Sequence, residues 1–119
     1  MVLTKSDFLK MLISASDALD EKIDEFSEID SKFGDGDHGV TVGRISKVIR
    51  EKAMNSPGDE SLEAMFESLA KDIMNVNGGS AGPLYGTIIS GFGEGLEGVE
   101  EADEAAIKSM FAGGLEINL

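Results

Sequence analysis

The stretch TKSDFLKMLISASDALDEKIDEF, residues 4–26, decides the fold class. Its apolar residues Phe8, Leu12, Ala15, Leu19, Ile23 and Phe26 recur every three or four positions, the period of a helix with one buried face. Thr4, with Asp7 three residues on, reads as a capping box in which Asp replaces the usual Glu. The same period continues downstream. From about Val40 to Ala53 it passes through Ile45, Val48 and Ile49, then stops before the breakers Asn55-Ser56-Pro57-Gly58. A third helix carries Leu62, Met65, Phe66, Leu69, Ile73 and Val76, and ends at the glycine signal Asn77-Gly78-Gly79. A fourth opens near Ala81–Pro83, with Leu84, Ile88, Phe92 and Leu96 as its apolar positions. Its glycines at 86, 91, 93 and 95 each cost about 1 kcal/mol of helix propensity relative to Ala, with Gly86 a place for close packing. The last segment runs from Asp103, read as an N-cap, to about Ala112, with Ile107, Met110 and Phe111 on one side. No segment alternates with the period of a strand, and none repeats. The expected fold is all-α, with residues 1–119 as a single domain of antiparallel amphipathic helices forming part of a bundle or barrel.

Composition narrows the function. The 119 residues are 41% hydrophobic and 28% charged, an ordinary globular mixture. Twenty-three carboxylates against ten basic side chains leave a net charge of −13, a field that repels nucleic-acid phosphates and anionic lipid. Cations and metal-bound ligands suit it better. The absence of cysteine excludes disulfides, thiolate zinc sites and a Cys nucleophile, and a single histidine excludes multi-His metal sites. Lys5, Asp7 and Lys10 interrupt the first apolar stretch, so it is not a signal peptide, and no apolar run is long enough to span a membrane. A cytoplasmic location is the expectation.

Two connections are richer in glycine than a helix–helix turn requires. Gly34, Gly36 and Gly39 satisfy G-x-G-x-x-G, yet the preceding segment is an acidic amphipathic helix and not the buried strand of a dinucleotide fold. An EF-hand also fails, because a loop starting at Asp35 would place Val40 where Gly is required and Ser46 where Glu is required. Asp30, Asp35 and Asp37 remain, short carboxylates around flexible backbone that can converge as hard oxygen ligands for Mg²⁺. The alternative is a solvated turn, since Asp-Gly pairs form turns readily. Residues 20–37 hold eight carboxylates against Lys22 and Lys32, a crowding that a cation would relieve and that favours the metal. His38 follows directly, as a general base, a phosphate donor or a loop-fixing hydrogen bonder.

In the second connection Gly78, Ser80 and Gly82 match the nucleophile elbow G-x-S-x-G. A helix precedes it where a hydrolase has a strand, and the lone histidine comes before the serine, so an esterase is rejected. What stays open is a phosphate cradle at a helix N-terminus or an ordinary Gly-Pro turn with Ser80 as N-cap. Leu84 and Tyr85 read as packing residues, with a contact to an adenine ring as the other role for Leu84.

The ordered pair Asp30-x4-Asp35-Gly36-Asp37-His38-Gly39 and Gly78-Gly79-Ser80-Ala81-Gly82-Pro83-Leu84-Tyr85-Gly86-Thr87 resembles the L, or nucleotide-binding, subunit of dihydroxyacetone kinases. That resemblance implies an α-helical barrel with a nucleotide, ADP or ATP, at one end. It implies a pair of Mg²⁺ ions held by Asp30, Asp35 and Asp37. His38, Gly39, Val40 and Thr41 would line the nucleotide, and Gly79 and Ser80 would contact it from the second loop. The implied reaction is phosphoryl transfer to a small ketose or triose, dihydroxyacetone in the family, held by a separate subunit through a covalent bond to a histidine. No residue of this chain takes that role, and none is assigned as catalytic. The donor would be free ATP or a bound ADP recharged by a phosphotransferase-system protein. The chain corresponds to the N-terminal part of the family domain and stops before the family's Gly-Asp-x-Thr-Met loop and its later Arg and Asp-Pro-Gly contacts. Apolar faces left open by that shortfall would call for a partner chain or self-association. Two other readings are a dimerising paralogue that keeps the metal site without kinase activity, and a purely structural helical bundle.

Overall fold

The computed structural model describes residues 1–33, 38–76 and 81–117, apart from the side chains of residues 24, 26–27, 29–33, 38–39, 81 and 116–117. The described residues form five helices: α1 (Lys5–Phe33), α2 (His38–Asn55), α3 (Leu62–Met74), α4 (Ala81–Gly95) and α5 (Glu104–Ile117). The all-α expectation holds. Extended pairing among the described residues is limited to a single bridge, Leu3 with Ala102, which exchange both backbone hydrogen bonds at 2.8 Å. No described helix is long and apolar enough to cross a membrane.

Each neighbouring pair of helices is antiparallel, as short connections require. Ser16 meets Ser46 and Ile23 meets Gly43 across α1 and α2. Ile45 and Ile49 pack with Leu69 and Ile73 across α2 and α3, while Glu67 accepts from Ser90 across α3 and α4. One end of the bundle is closed by its own contacts: the Leu3–Ala102 bridge and a hydrogen bond from Lys5 Nζ to the Pro57 carbonyl. The core has two centres. Phe8, Leu62, Met65, Phe66, Leu96, Ala102 and Met110 fill the closed end, with Phe8 edge-on to Phe66 at 5.7 Å between centroids. Ile45, Ile49, Leu69 and Ile73 continue toward the other end, joined by Leu19 and Val76.

Local signals at the helix starts are realised in detail. Thr4 N–H donates to Asp7 Oδ2 at 2.9 Å while Asp7 N–H donates to Thr4 Oγ1 at 3.2 Å, a reciprocal capping box. The Thr4 N–H bond, with a second from the Thr4 hydroxyl at 3.1 Å, holds the Asp7 carboxyl below its ordinary value. Ser61 accepts from Ala64 N–H at the start of α3, and Asp103 accepts from Ala106 N–H at the start of α5.

Three expectations about faces change. Ala15 is exposed and Ser16 is buried in its place. The Ser16 and Ser46 hydroxyls are 2.8 Å apart, and each lies within hydrogen-bonding reach of the other residue's backbone carbonyl, so two small polar residues bring α1 and α2 close. On α4, Leu84 and Tyr85 are exposed, and glycine supplies the packing surface. A Cβ at Gly86 would lie 3.0 Å from the Ala70 carbonyl of α3, and one at Gly91 would lie 2.5 Å from the Gly113 carbonyl of α5. The third change concerns α5, which runs beyond Ala112 through Gly113 and Gly114, leaving Phe111 exposed while Met110 is buried. Gly98, just after α4, has φ +74°, a left-handed turn that glycine adopts without steric cost.

Two stability measurements test this packing. Gly91→Ala gains about 1 kcal/mol in helix propensity but forces a methyl into backbone, an overpacking cost of about 1–3 kcal/mol. A net fall in melting temperature is expected. Gly58→Ala, where a Cβ would meet nothing within 4 Å, serves as the control and should leave the melting temperature unchanged or raised. A Gly91→Ala protein as stable as wild type would contradict the close α4–α5 approach.

The second measurement uses Glu60. Burial raises its carboxyl, but hydrogen bonds from Ser56 and Lys52 and the charges of Lys52 and Lys5 outweigh burial, leaving it below its ordinary value. A carboxyl lowered on folding binds fewer protons folded than unfolded, so its stabilisation is present above the unfolded value. That stabilisation is lost as pH falls through the lowered folded value. Glu60→Gln should therefore lower stability near neutral pH and flatten its decline in acid. Urea unfolding of both proteins across the carboxylate range checks this.

Candidate functional site

The antiparallel order puts the helix ends that flank residues 34–37 and 77–80 at one end of the bundle, opposite the closed end. These are the C-termini of α1 and α3 and the N-termini of α2 and α4. Several contacts hold them in register. Ser46 Oγ donates to Asp20 Oδ1 at 2.7 Å, and Arg50 bridges Asp17 and Asp20, tying α2 to the middle of α1. The Asp17 hydrogen bond, opposed by desolvation and helped by both carboxylate charges, raises the Arg50 guanidinium above its ordinary value. On the other side, the first turn of α4 leans directly on the end of α3. A Cβ at Gly82 would lie 2.9 Å from the Ile73 carbonyl and 3.0 Å from that of Val76, so only glycine allows this approach. Pro83 lies in the first turn of α4, where its missing N–H breaks no helical bond, and its carbonyl accepts from Thr87 Oγ1 at 2.7 Å.

The two ends of the bundle differ in electrostatics. The helices that start at the closed end each carry an acid in the first turn: Asp7 in α1, Glu63 in α3 and Glu104 in α5. Those carboxylates complement the partial positive charge of a helix N-terminus. The first turns of α2 and α4 contain no acid. Both also begin beside a glycine-rich segment of the sequence. A helix N-terminus with no acid in its first turn is suited to an anion, and two of them lie at this end.

The residues expected at the site fall into two groups. Val40, in the first turn of α2, is half exposed; Thr41 beside it is buried, as is Val42. Leu84, one turn into α4, is half exposed. These three expected positions, Val40, Thr41 and Leu84, therefore belong to the two acid-free helix starts. Asp35, Asp37, Gly79 and Ser80 lie outside the described residues, as does the glycine signal Asn77-Gly78-Gly79; α3 ends earlier, at Met74, capped by Asn75. Asp30 belongs to the last turn of α1, and His38 and Gly39 open α2, but their side chains are not among those described. Among the described residues, no group of three His, Asp or Glu side chains is placed to hold a metal ion.

The Ser16–Ser46–Asp20–Arg50 contacts that position α2 were not foreseen. A serine on an otherwise apolar helix face, four residues before an aspartate, was the available signal. The glycines of α4 likewise read as weaknesses in a helix, although their spacing of four and five residues already set them along its sides.

Comparison with known proteins supplies the remaining identification. The DAK2 domain matches residues 32–118. The PEP-dependent dihydroxyacetone kinase 1, ADP-binding subunit DhaL, of Listeria innocua is 27% identical over 117 residues, covering 98% of this chain and 58% of that protein. The PTS-dependent dihydroxyacetone kinase, ADP-binding subunit DhaL, of Lactococcus lactis is 38% identical over 72 residues, covering 56% of this chain and 36% of its own. Dihydroxyacetone kinase 1 of Saccharomyces cerevisiae is 30% identical over 113 residues, covering 94% of this chain and 19% of its own. The chain spans little more than half the length of the Listeria relative. With all-α helices in antiparallel order and a family match across most of its length, the chain belongs to the DAK2 domain family.

Proposed function

We propose that residues 1–119 form a nucleotide-binding domain of the dihydroxyacetone kinase type, taking ADP or ATP with Mg²⁺ at the end of the bundle where α2 and α4 begin. The observation that carries this reading is the pair of acid-free helix N-termini at that end, set against acidic first turns on the three other helices. The names of the bacterial relatives, both ADP-binding subunits, support the same ligand.

The donor set fits the ions. Asp30, Asp35 and Asp37 offer only carboxylate oxygens, the hard ligands that Mg²⁺ prefers, and they fall within eight residues bridging the end of α1 and the start of α2. When bound, Mg²⁺ neutralises phosphate charge, which is also what admits a polyphosphate to a chain of net charge −13. The chain's own residues bind and orient. His38, Gly39, Val40 and Thr41 line the nucleotide from the start of α2, and Gly79 and Ser80 approach it from the second loop. Leu84, half exposed one turn into α4, offers an apolar edge to the base. Phosphoryl transfer depends mostly on positioning and charge stabilisation, which suits a site built from carboxylates and glycine-rich backbone. The acceptor is a small ketose such as dihydroxyacetone, held by a separate substrate-binding subunit. Phosphate reaches the site either on free ATP or through a phosphotransferase-system donor that recharges bound ADP, as the PEP- and PTS-dependent names of the relatives suggest.

Calorimetric titration with ADP, with and without Mg²⁺, tests the reading. Wild-type chain should bind ADP only with Mg²⁺, and Asp35→Ala/Asp37→Ala should weaken binding at least tenfold. Absence of binding in every condition would overturn the nucleotide site. Mg²⁺-dependent binding without turnover, when the substrate-binding subunit is supplied, would instead make the chain a non-catalytic member of the family.

Thermal unfolding gives an independent measure. A preformed metal site saturated a hundredfold above its Kd adds about 2.7 kcal/mol to stability. The melting temperature should therefore rise in millimolar Mg²⁺ for wild type and stay flat for the Asp35/Asp37 double variant.

A further inference from the structure

Ser46 has one hydroxyl proton and more than one acceptor within reach. Asp20 Oδ1 lies 2.7 Å from its Oγ, and the Ser16 carbonyl lies 3.0 Å away. The carboxylate is both charged and nearer, so it takes the proton. Ser16 then donates to Ser46 Oγ at 2.8 Å, which orders the two hydroxyls into a relay from Ser16 through Ser46 to Asp20. That relay begins between two buried serines and ends on a carboxylate that also meets Arg50 at 3.5 Å. Arg50 has Asp17 as its second partner.

Removing Asp20 would leave the Ser46 proton the Ser16 carbonyl, so the serine pair survives and the two helices stay packed. What goes is a directional bond between them. The serine pair sets how close α1 and α2 lie, as does Ile23, whose Cδ1 lies 3.3 Å from where a Cβ on Gly43 would sit. Small side chains and a glycine offer little resistance to sliding along the helix axis. A hydrogen bond to a carboxylate weakens steeply off its axis and does resist it.

Sliding matters most where the helices end. Asp30 lies in the last turn of α1, whereas Asp37 immediately precedes α2 in the sequence, so the two carboxylates belong to different helices. A slip of one residue moves a helix by about 1.5 Å. Mg²⁺ demands near-octahedral ligands at about 2.0–2.1 Å and tolerates far less displacement than that.

Resting on the nucleotide and Mg²⁺ reading above, we infer that Asp20 and Ser46 are positioning residues. Their hydrogen bond fixes the register of α1 against α2, and with it the affinity for Mg²⁺ and ADP, while touching neither. Asp20 is thereby set apart from the other carboxylates of residues 20–37: it serves Ser46 and Arg50, not a metal.

Calorimetric titration of the full chain with ADP, repeated across Mg²⁺ concentrations, tests this. Asp20→Ala should raise the ADP Kd about tenfold and shift half-maximal binding to higher Mg²⁺. Asp20→Asn, whose amide oxygen still accepts from Ser46, should stay close to wild type. Ser46→Ala leaves Ser16 the residue 46 carbonyl at 3.1 Å and should match Asp20→Ala, carrying the test if far-UV circular dichroism shows that Asp20→Ala loses its helices. The double variant should bind no more weakly than the weaker single, since both changes remove one bond. Glu60→Gln, destabilising but at the closed end, should leave ADP and Mg²⁺ binding unchanged. Wild-type binding that survives both Asp20→Ala and Ser46→Ala overturns this inference alone. So does Asp20→Asn binding as weakly as Asp20→Ala, or Glu60→Gln weakening binding as much. A wild-type chain that binds no ADP in Mg²⁺ overturns the nucleotide reading and this inference with it.

Discussion

The close approach of α4 to both of its neighbours is the constraint on which the rest of the structure depends. Gly82 and Gly86 admit the carbonyl-lined end of α3, and Gly91 and Gly95 admit the backbone of α5 around Ser109 and Gly113. Two helices packed through ordinary apolar side chains keep their axes 8–10 Å apart. Glycine lets them come closer, and α4 does so on two sides. One consequence is electrostatic, because the start of α4 is pinned against the last carbonyls of α3 at the end where α2 also begins. The other is the apolar edge on α4 and α5, since side chains displaced from the contact have nowhere to go but outward.

On the opposite side of the bundle a different device reaches the same result. Ser16 and Ser46 bring α1 and α2 together with small polar side chains, their hydroxyls 2.8 Å apart. The Asp20 and Arg50 contacts extend that link by a turn in each direction. Since Asp20 lies ten residues before Asp30 on the same helix, this clasp sets where the end of α1 lies relative to the start of α2. Fold and proposed site are thus coupled through residues that never touch a ligand.

Charge is distributed to match. The three helix starts at the closed end are capped by Thr4, Ser61 and Asp103 and carry acids in the first turn, so their dipoles are already satisfied. The first turns of the two starts at the other end carry no acid. The acids nearest that end, Asp35 and Asp37, precede α2 in the sequence instead of lying within its first turn.

The sequence by itself determined the helical class, the number and approximate limits of the helices, the Thr4–Asp7 and Asp103 caps, and the position of both glycine-rich connections. Those features are local: a period of 3.6 residues, or a side chain reaching an amide three residues on, requires no knowledge of the neighbours. The pairing of Asp30-x4-Asp35-Gly36-Asp37-His38-Gly39 with the second loop also carried the family, because it is a matter of residue order. Only the tertiary structure decided which faces pack. Ala15 yields to Ser16, Leu84 and Phe111 turn outward, and the glycines of α4 become its contact surface. Hydropathy registers a side chain's preference for burial, and glycine has no side chain to register. How closely two helices approach is a property of the pair, so no single stretch of residues can state it.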